Sequence, residues 1–282
     1  MENPIVKLKE NISSLTNTQR QVANYIIEHP VDVAFLTVDQ LAGKVGTSTT
    51  TIMRLAFSLG YSGYSEFQKG LQQNLRSQAS PGTRFEVNLK GNTDENLWIS
   101  NVNHQLENIQ QTVDLISNET LDSVINMIMK SKMIYCSSVR SGMPVSYHLT
   151  HGLNRLLGNC KMLPADRIEW VDDMISLNSE DLIIAISYPR YSSRLLEFVK
   201  HARERKAKVI VITNSYSSPF VKYADIVLPC PSGSLSFHNS IVSSILVADY
   251  IINAVAINFP ERTKERLSEL NEVLTSLDYH VL

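Results

Sequence analysis

The segment Asp181–Thr213 reads DLIIAISYPRYSSRLLEFVKHARERKAKVIVIT and places two apolar runs on either side of a helical pattern. Neither run, LIIAI or VIVI, alternates apolar with polar residues, and strands that are buried on both faces share this feature. Between the runs, Ser193–Arg205 has the periodicity of an amphipathic helix. A strand, a helix and a second strand in this order predict neighbouring parallel strands in a sheet that is covered by helices.

The same alternation extends in both directions from this segment. Further strands are predicted at Met133–Ser137, Cys160–Pro164 and Asp225–Pro229, and further helices at Val145–Leu157, Trp170–Leu177 and Ser236–Asn258. We therefore predict an α/β domain with a doubly wound parallel five-stranded sheet. Ligands of such sheets bind beyond the carboxyl ends of the strands, which directs attention to Cys136–Gly142, Ser187–Arg194 and Thr213–Ser218.

The first 77 residues have a different texture, because they predict short helices only. A helix through Glu28 is followed by a short helix at Val38–Lys44, which Thr37 caps, and by a turn at Gly46. Ser48 then caps a second helix, Thr49–Leu59. Two helices joined by a turn with glycine predict a helix-turn-helix. The hydroxyls of Thr49–Thr51 and the guanidinium of Arg54 suit phosphate oxygens and base edges, although Ser48–Thr51 also fits a plain capping cluster.

A stretch rich in Ser, Gly, Pro, Asn and Thr, Ser77–Asn96, predicts a linker or loop. A helix over Leu97–Ile116 is expected to follow, with apolar residues spaced three or four apart. These apolar residues are Ile99, Val102, Leu106, Ile109, Val113 and Ile116. The predicted domains are residues 1–77 as a helix-turn-helix domain, 78–118 as a linker and connecting helix, and 119–282 as the α/β domain.

The composition excludes several classes of protein. With 282 residues, 43% apolar and 19% charged, the chain is neither disordered nor fibrous. Its net charge of −2 excludes a polybasic nucleic-acid coat, although residues 1–77 hold seven basic and six acidic side chains, a local charge of +1. The N-terminus lacks an apolar leader, and Asp249 interrupts the most apolar stretch, Ser240–Phe259, so we expect a cytoplasmic protein without a membrane partner.

Metal and cofactor sites are not indicated. The cysteines, Cys136, Cys160 and Cys230, are three in number and far apart, which fits neither a disulfide framework nor a zinc knuckle. His148 and His151 lie three residues apart on a predicted helix, but no carboxylate or cysteine at ligand spacing completes a metal site. We expect neither a metal nor a cofactor.

The segment Leu36–Leu71, LTVDQLAGKVGTSTTTIMRLAFSLGYSGYSEFQKGL, resembles the helix-turn-helix of RpiR-type bacterial transcriptional regulators. The matching positions are Leu41, Ala42, Ser48, Thr51, Ile52, Arg54, Leu59, Gly60, Gly63, Glu66, Phe67 and Leu71, and Tyr61 and Tyr64 stand where the family usually has Phe. The resemblance implies a C-terminal sugar-isomerase-type (SIS) domain and a DNA affinity that a sugar phosphate controls. The candidate DNA-binding residues are Lys44, Ser48, Thr49, Thr50, Thr51, Arg54, Tyr61 and Tyr64.

SIS domains hold a sugar phosphate at strand ends, and the resemblance implies that two loops of this chain do so. In the second loop Ser187 matches the family pattern and Ser192 replaces Thr, whereas Pro189 and Arg190 replace Ser and Gly. A helix that begins at Ser192 or Ser193 favours an anion, and Arg190 adds a charged donor. Solvation of Arg190 and Arg194, or pairing with acidic residues, is the alternative. The candidate effector-binding residues are Ser138, Arg140, Ser141, Ser187, Arg190, Ser192, Ser193 and His238, the last of which is expected to start the last core helix.

Together these features predict a DNA-binding regulator of carbohydrate metabolism rather than an enzyme. Its partners would be a palindromic double-stranded operator and a phosphorylated sugar or sugar acid, and it would act as a homodimer or homotetramer because two half-sites need two reading helices. A phosphosugar isomerase with an accessory helical domain is the first alternative, although no catalytic acid–base pair is evident. A protein–protein adaptor is the second.

Overall fold

The structure is a computed structural model that describes residues 3–91, 96–165 and 170–279. The chain forms two compact units. The first comprises Met1–Ser100 together with Ser234–His238, and the second comprises Asn101–Gly233 and Asn239–Leu282. Each unit has a hydrophobic core of its own and is considered separately.

The first unit is helical, as predicted. Its helices are α1 (Pro4–Asn11), α2 (Asn17–Glu28), α3 (Pro30–Val33), α4 (Val38–Val45), α5 (Thr49–Ser58), α6 (Tyr64–Gln78) and α7 (Pro81–Gly91). The boundaries follow local chemistry, because Thr16 and Thr37 each form a capping box with a glutamine three residues later. The largest buried side chains of this core include Leu8, Ile26 and Phe67.

The prediction of a loop or linker over Ser77–Asn96 is wrong for most of its length, since α6 continues to Gln78 and α7 spans Pro81–Gly91. Ser80 accepts a hydrogen bond from the backbone N–H of Thr83 at 3.2 Å, and Pro81 stands in the first turn, where its missing N–H costs nothing. The residues that made the segment look irregular therefore start a helix, which Val87 anchors in the core. The rest of the predicted linker, residues 92–95, lies outside the described residues.

The second unit is an α/β sandwich. It contains α8 (Leu97–Leu115), whose first turn lies in the first unit, then α9 (Asn118–Lys130), β1 (Ile134–Ser138), α10 (Met143–Leu157), β2 (Cys160–Met162), α11 (Trp170–Ile175), β3 (Leu182–Ser187), α12 (Ser193–Glu204), β4 (Lys208–Thr213), β5 (Ile226–Pro229), α13 (Val242–Asn258) and α14 (Pro260–Ser276). The five strands are parallel in the order β2-β1-β3-β4-β5. The predicted doubly wound five-stranded sheet is confirmed.

Helices cover both faces of this sheet. Alternate residues of the central strands, such as Ile184 and Ile210, pack on one face with α9, α10 and α13. Their neighbours, such as Ile183 and Val209, pack on the other face with α11 and α12. This double burial explains why the strands read as continuous apolar runs.

The predicted helix Ser236–Asn258 begins too early, because α13 starts at Val242. Side-chain and backbone hydrogen bonds hold the preceding residues as a loop: the hydroxyl of Ser234 donates to the carbonyl of His238 at 2.7 Å, and the backbone N–H of Ser240 donates to the carbonyl of Ser232 at 2.9 Å. Serine side chains compete with helical hydrogen bonds in this way. Across the described residues, no single helix is long and apolar enough to span a membrane; α13 and α14 meet that test only as a pair bent by 103°.

Candidate functional sites

Helices α4 and α5 form the predicted helix-turn-helix within the first unit. Gly46 ends α4 in the left-handed conformation at φ 71°, which glycine adopts at no steric cost. Ser48 caps α5, because its hydroxyl accepts from the backbone N–H of Thr51 at 3.3 Å and lies 3.0 Å from the Thr51 hydroxyl. Ile52 and Leu55 are buried and fix the helix against its neighbours. The cluster Ser48–Thr51 therefore caps α5 and also presents the start of that helix to solvent.

Helix α5 and its cap carry five of the eight predicted DNA-binding residues. Thr50, Arg54 and Ser48 are exposed, and Thr49 and Thr51 are half-buried. Thr50 and Arg54 lie four residues apart and share one face of the helix. Lys44 is exposed in the last turn of α4.

Phe57 is a residue of this face that the sequence reasoning missed. It lies one turn beyond Arg54 and exposes 53% of its surface. An aromatic side chain at this position suits the methyl group of thymine. The sequence feature that could have identified Phe57 is its spacing of seven residues from Thr50, which places both on one face of the helix. Its apolar character alone did not distinguish it, because the neighbouring apolar residues belong to the core.

The prediction that Tyr61 and Tyr64 contact DNA is wrong for this structure, because both side chains are buried. The hydroxyl of Tyr64 donates to the carbonyls of Val33 and Leu36, at 3.2 and 3.0 Å, and burial raises its pKa to about 12. Tyr61 packs edge-on against Phe67, with ring centroids 5.4 Å apart. These tyrosines hold the fold of the first unit together and do not face solvent.

In the second unit, hydroxyl groups collect at the carboxyl ends of three adjacent strands. Ser138 ends β1 beside Ile186 of β3, and Ser187 ends β3 beside Thr213 of β4. All three hydroxyl residues are buried. The hydroxyls of Ser138 and Thr213 have no hydrogen-bond partner within the described part of the chain. Buried polar groups without partners are rare in native proteins, and here they stand where a ligand of such a sheet binds.

Arg140 and Arg190 follow the ends of β1 and β3 and are both exposed. Both hold a left-handed backbone conformation, with φ of 55° and 64°. Ser192 caps α12 by accepting from the backbone N–H of Leu195 at 3.4 Å, so its side chain is engaged, while Ser193 is exposed in the first turn. The structure thus brings two cations and the start of a helix to the edge that carries the buried hydroxyls, a combination that suits an anion.

The first loop is held against β3 at Gly142. A side-chain carbon at this position would lie 2.9 Å from the carbonyl oxygen of Ile186 and 2.9 Å from the Cβ of Ser138. No residue other than glycine fits there without displacing backbone. Ser141 is half-buried beside it.

A contact that sequence reasoning missed joins the second and third loops. The hydroxyl of Tyr191 donates to the side-chain oxygen of Asn214 at 2.6 Å, and burial raises the pKa of Tyr191. Asn239 donates to the carbonyl of Pro189 at 3.3 Å and supports the same loop. No sequence motif marks these pairs, because their partners lie 23 and 50 residues apart.

His238 does not start the last core helix, and the prediction that it does is wrong. It precedes α13 by four residues, it is exposed, and its segment Ser234–His238 belongs to the first unit. There its carbonyl accepts from the guanidinium of Arg84 at 2.8 Å. Within the described ranges, no three His, Cys, Asp or Glu side chains form a group that could hold a metal ion.

Both units match known protein families. Residues 3–78 match the model of the helix-turn-helix domain of the rpiR family, and residues 127–257 match the model of the SIS domain. The chain is 25% identical over 281 residues to an HTH-type transcriptional regulator of Caldanaerobacter subterraneus, an alignment that covers 95% of this chain and 98% of the relative.

Two solved structures are similar as well. The NanR protein of Vibrio vulnificus, solved in complex with ManNAc-6P, is 26% identical with a TM-score of 0.59, and the match covers 98% of this chain and 99% of NanR. The sugar isomerase domain of an RpiR transcription factor from Sphaerobacter thermophilus shares the fold at a TM-score of 0.60 and 24% identity, and the match covers 62% of this chain and 97% of that domain. The chain belongs to the RpiR family of transcriptional regulators, with an N-terminal helix-turn-helix domain and a C-terminal SIS domain.

Proposed function

We propose that this regulator binds an operator through the exposed face of α5 and that a phosphorylated sugar or sugar acid, bound at the carboxyl edge of the sheet, controls its affinity for DNA. The observation that carries the proposal is that Arg140 and Arg190 follow the same strand ends that carry the buried hydroxyls of Ser138 and Thr213. A phosphate suits the charged donors, and sugar hydroxyls suit the buried ones. NanR, a similar protein over the whole chain, was solved with the sugar phosphate ManNAc-6P.

The loops at the strand ends support sensing rather than turnover. None of the segments Cys136–Gly142, Ser187–Arg194 and Thr213–Ser218 contains Asp, Glu or His. An aldose–ketose isomerase needs a positioned base to move a proton beside a carbonyl. Incubation of the protein with a panel of sugar phosphates, followed by NMR, checks this point, and conversion of any of them would favour the isomerase instead.

A thermal-shift screen against sugar phosphates and phosphorylated sugar acids tests the effector site. A ligand that binds only the folded protein raises its stability by about 2.7 kcal/mol at a hundred times its dissociation constant. The Arg190→Ala variant should lose most of this shift, whereas Arg155→Ala, which removes an arginine from the last turn of α10, should keep it. Equal shifts in the unaltered protein and in Arg190→Ala would place the ligand elsewhere.

An electrophoretic mobility assay with the DNA upstream of the protein's own gene tests the operator site. Arg54→Ala should weaken the complex by about 1–3 kcal/mol if Arg54 reads a base, or lower the salt slope by about one if it contacts phosphate. Lys69→Ala, which removes an exposed cation from α6, is the matched control. An unchanged complex with Arg54→Ala would exclude α5 as the recognition helix. We propose that the protein binds as a homodimer or homotetramer, because a palindromic operator presents two half-sites.

A further inference from the structure

Phe57 is an exposed aromatic side chain near the end of α5. It exposes 53% of its surface, and it belongs neither to the buried core of the first unit nor to the apolar residues that pack against that core. Leu55, Ala56 and Leu59, its apolar neighbours in the chain, are all buried. Packing within the first unit therefore does not account for an aromatic ring at this position, and the ring is open to a molecule that approaches α5.

The ring lies in one row with Thr50 and Arg54 on the exposed face of α5. Residues four and then three positions apart lie on the same side of a helix, and Phe57 follows Thr50 by about 10.5 Å along the axis at 1.5 Å per residue. In zinc fingers, side chains spread over about two turns of a helix in the major groove read three successive bases. A helix that lies in the groove with Thr50 and Arg54 facing the bases therefore brings Phe57 over a base pair as well.

The surroundings of Phe57 suit DNA better than the apolar surface of another protein. Helix α5, with the sequence TTTIMRLAFS, contains no acidic residue, and the cations Lys44 and Arg54 are exposed on the same helix-turn-helix. Ser58, beside the ring, is exposed as well. A stable protein–protein interface buries at least about 1,200 Å², which one ring among hydroxyls and cations does not supply.

We infer that Phe57 contacts the C5-methyl group of a thymine in the operator and is a specificity-determining residue of α5. The base pairs present hydrogen-bond donors and acceptors in the major groove, and the methyl group of thymine is the apolar group among them. A phenyl ring offers the donors and acceptors no ordinary hydrogen bond, whereas it shields a methyl group from water. The inference rests on the proposed function, because it takes α5 as the recognition helix, and it adds the chemical group that this part of α5 recognises.

Deoxyuridine tests the inference, because it lacks the methyl group of thymine and keeps the same base pairing. The operator is defined by footprinting of the DNA upstream of the protein's own gene or by selection from random duplexes, and its thymines are then replaced one at a time. At one thymine of each half-site, uracil should weaken binding by the unaltered protein about fourfold, the effect of one buried methyl group. Phe57→Ala should bind the thymine and uracil duplexes equally, since the ring that contacts the methyl group is gone.

Two further variants separate this contact from general effects of substitution. Phe57→Gln, which places a polar side chain at the same position, should lose the uracil effect as Phe57→Ala does. The matched control, Phe85→Ala, removes a ring of similar exposure from α7 and should keep the uracil effect. Because Phe57 is exposed, thermal melting of both Phe57 variants should stay near that of the unaltered protein.

5-Methylcytosine provides a readout that depends on gain of affinity. It carries its methyl group at the same place in the major groove as thymine, although its hydrogen-bonding groups are those of cytosine. In a duplex with a C·G pair in place of the contacted T·A pair, methylation of that cytosine should strengthen binding by the unaltered protein about fourfold. It should leave the binding of Phe57→Ala unchanged.

Arg54→Ala, measured on the same duplexes, keeps failure of this inference distinct from failure of the proposed operator site. Absence of a uracil effect at every thymine, or a uracil effect that persists in Phe57→Ala, would overturn the inference. If Arg54→Ala nevertheless loses affinity, α5 remains the recognition helix and only the role of Phe57 is wrong. Unchanged affinity in both Arg54→Ala and Phe57→Ala would exclude α5 as the recognition helix and overturn both proposals.

Discussion

Arg140 and Arg190 follow the carboxyl ends of β1 and β3, two neighbouring strands of one sheet. Both arginines have the same left-handed backbone conformation, with φ of 55° and 64°. For an L-residue with a Cβ, the left-handed region costs roughly 1–2 kcal/mol. Strain of this kind persists where the surrounding structure imposes it, and it gathers at ligand sites. Among the described residues, Lys206 and Asp278 also have a positive φ, but Arg140 and Arg190 are the two that lie at the carboxyl edge of the sheet, and this placement supports our assignment of both to an anion.

Two substitutions of Arg190 distinguish the effect of its charge from the effect of its backbone strain. Arg190→Gly and Arg190→Ala both remove the guanidinium, but only glycine adopts φ 64° without strain. We expect the glycine variant to be more stable than the alanine variant by about 1 kcal/mol in urea denaturation. Both should lose the stabilisation by sugar phosphate. Equal stability of the two variants would mean that the loop relaxes on substitution. If sugar phosphate still stabilised both variants, Arg190 would not be part of the effector site.

Ser48 allows the cap of α5 to be tested apart from DNA contact. Ser48→Ala should lower the free energy of unfolding of the first unit by about 1 kcal/mol, because the cap of the N–H of Thr51 is lost. Ser48→Asp keeps the cap and suits the positive end of the helix, so its melting temperature should stay near that of the unaltered protein. Its negative charge should nevertheless weaken operator binding at least tenfold. Tight binding by Ser48→Asp would place the start of α5 away from the phosphates.

Tyr64→Phe tests the assignment of this tyrosine to the core. The variant loses the hydrogen bonds to the carbonyls of Val33 and Leu36 and should be destabilised by about 1 kcal/mol in urea denaturation followed by circular dichroism. At a temperature where it remains folded, its operator affinity should match that of the unaltered protein within about twofold. Loss of operator affinity without loss of stability would indicate that Tyr64 contacts DNA.

Stability should fall in alkaline solution because the folded protein holds protons that the unfolded chain releases. Burial raises the pKa of Cys230 to about 12, and the contact with Cys136, together with burial, raises that of Cys160. In the unfolded chain a cysteine titrates near pH 8.5. The stabilisation is therefore complete below about pH 8.5 and is lost as the pH rises toward 12. Between pH 7.5 and 9.5 we expect a loss of about 1 kcal/mol from Cys230.

Urea denaturation followed by tryptophan fluorescence measures this loss in a Trp98→Phe background, which leaves Trp170, packed against Phe198 in the second unit, as the reporter. In Cys230→Ala the fall between pH 7.5 and 9.5 should be smaller by about the same 1 kcal/mol. A variant that loses as much stability as the unaltered protein would assign the alkaline sensitivity to other groups, such as Tyr64 and Tyr188, whose pKa values burial also raises.

The sheet was predictable from sequence because its strands are buried on both faces. Lys208–Thr213 matches β4 at both ends, and the other predicted strands differ from the structure by one or two residues at an end. Helix α7 was not predictable from composition, since Ser80 and Pro81 are turn residues in one context and a helix start in another. The predicted helix Ser236–Asn258 starts too early for a similar reason. Hydrogen bonds of Ser234 and Ser240 hold the residues before α13 in a loop despite their helical pattern.

The candidate sites divide in the same way. Motif and spacing located the exposed start of α5 and the loops after β1, β3 and β4, because these follow from the order of elements. The motif does not predict burial, which is why the prediction of Tyr61 and Tyr64 as DNA contacts is wrong: both belong to the core. Contacts between distant residues, such as Tyr191 with Asn214, depend on the packed sheet and have no signature in the sequence.

The absence of a side chain at Gly142 lets the first loop pack directly on the end of β3, which limits how far this loop can move. With no space for even one carbon between this turn and the carbonyl of Ile186, the first loop cannot slide or close independently of β3. The position of the first loop relative to the end of β3 is therefore set when the domain folds. If the proposed effector binds at this edge, we expect it to find the first loop already in place, so that selectivity depends on how well the ligand fits a preformed backbone.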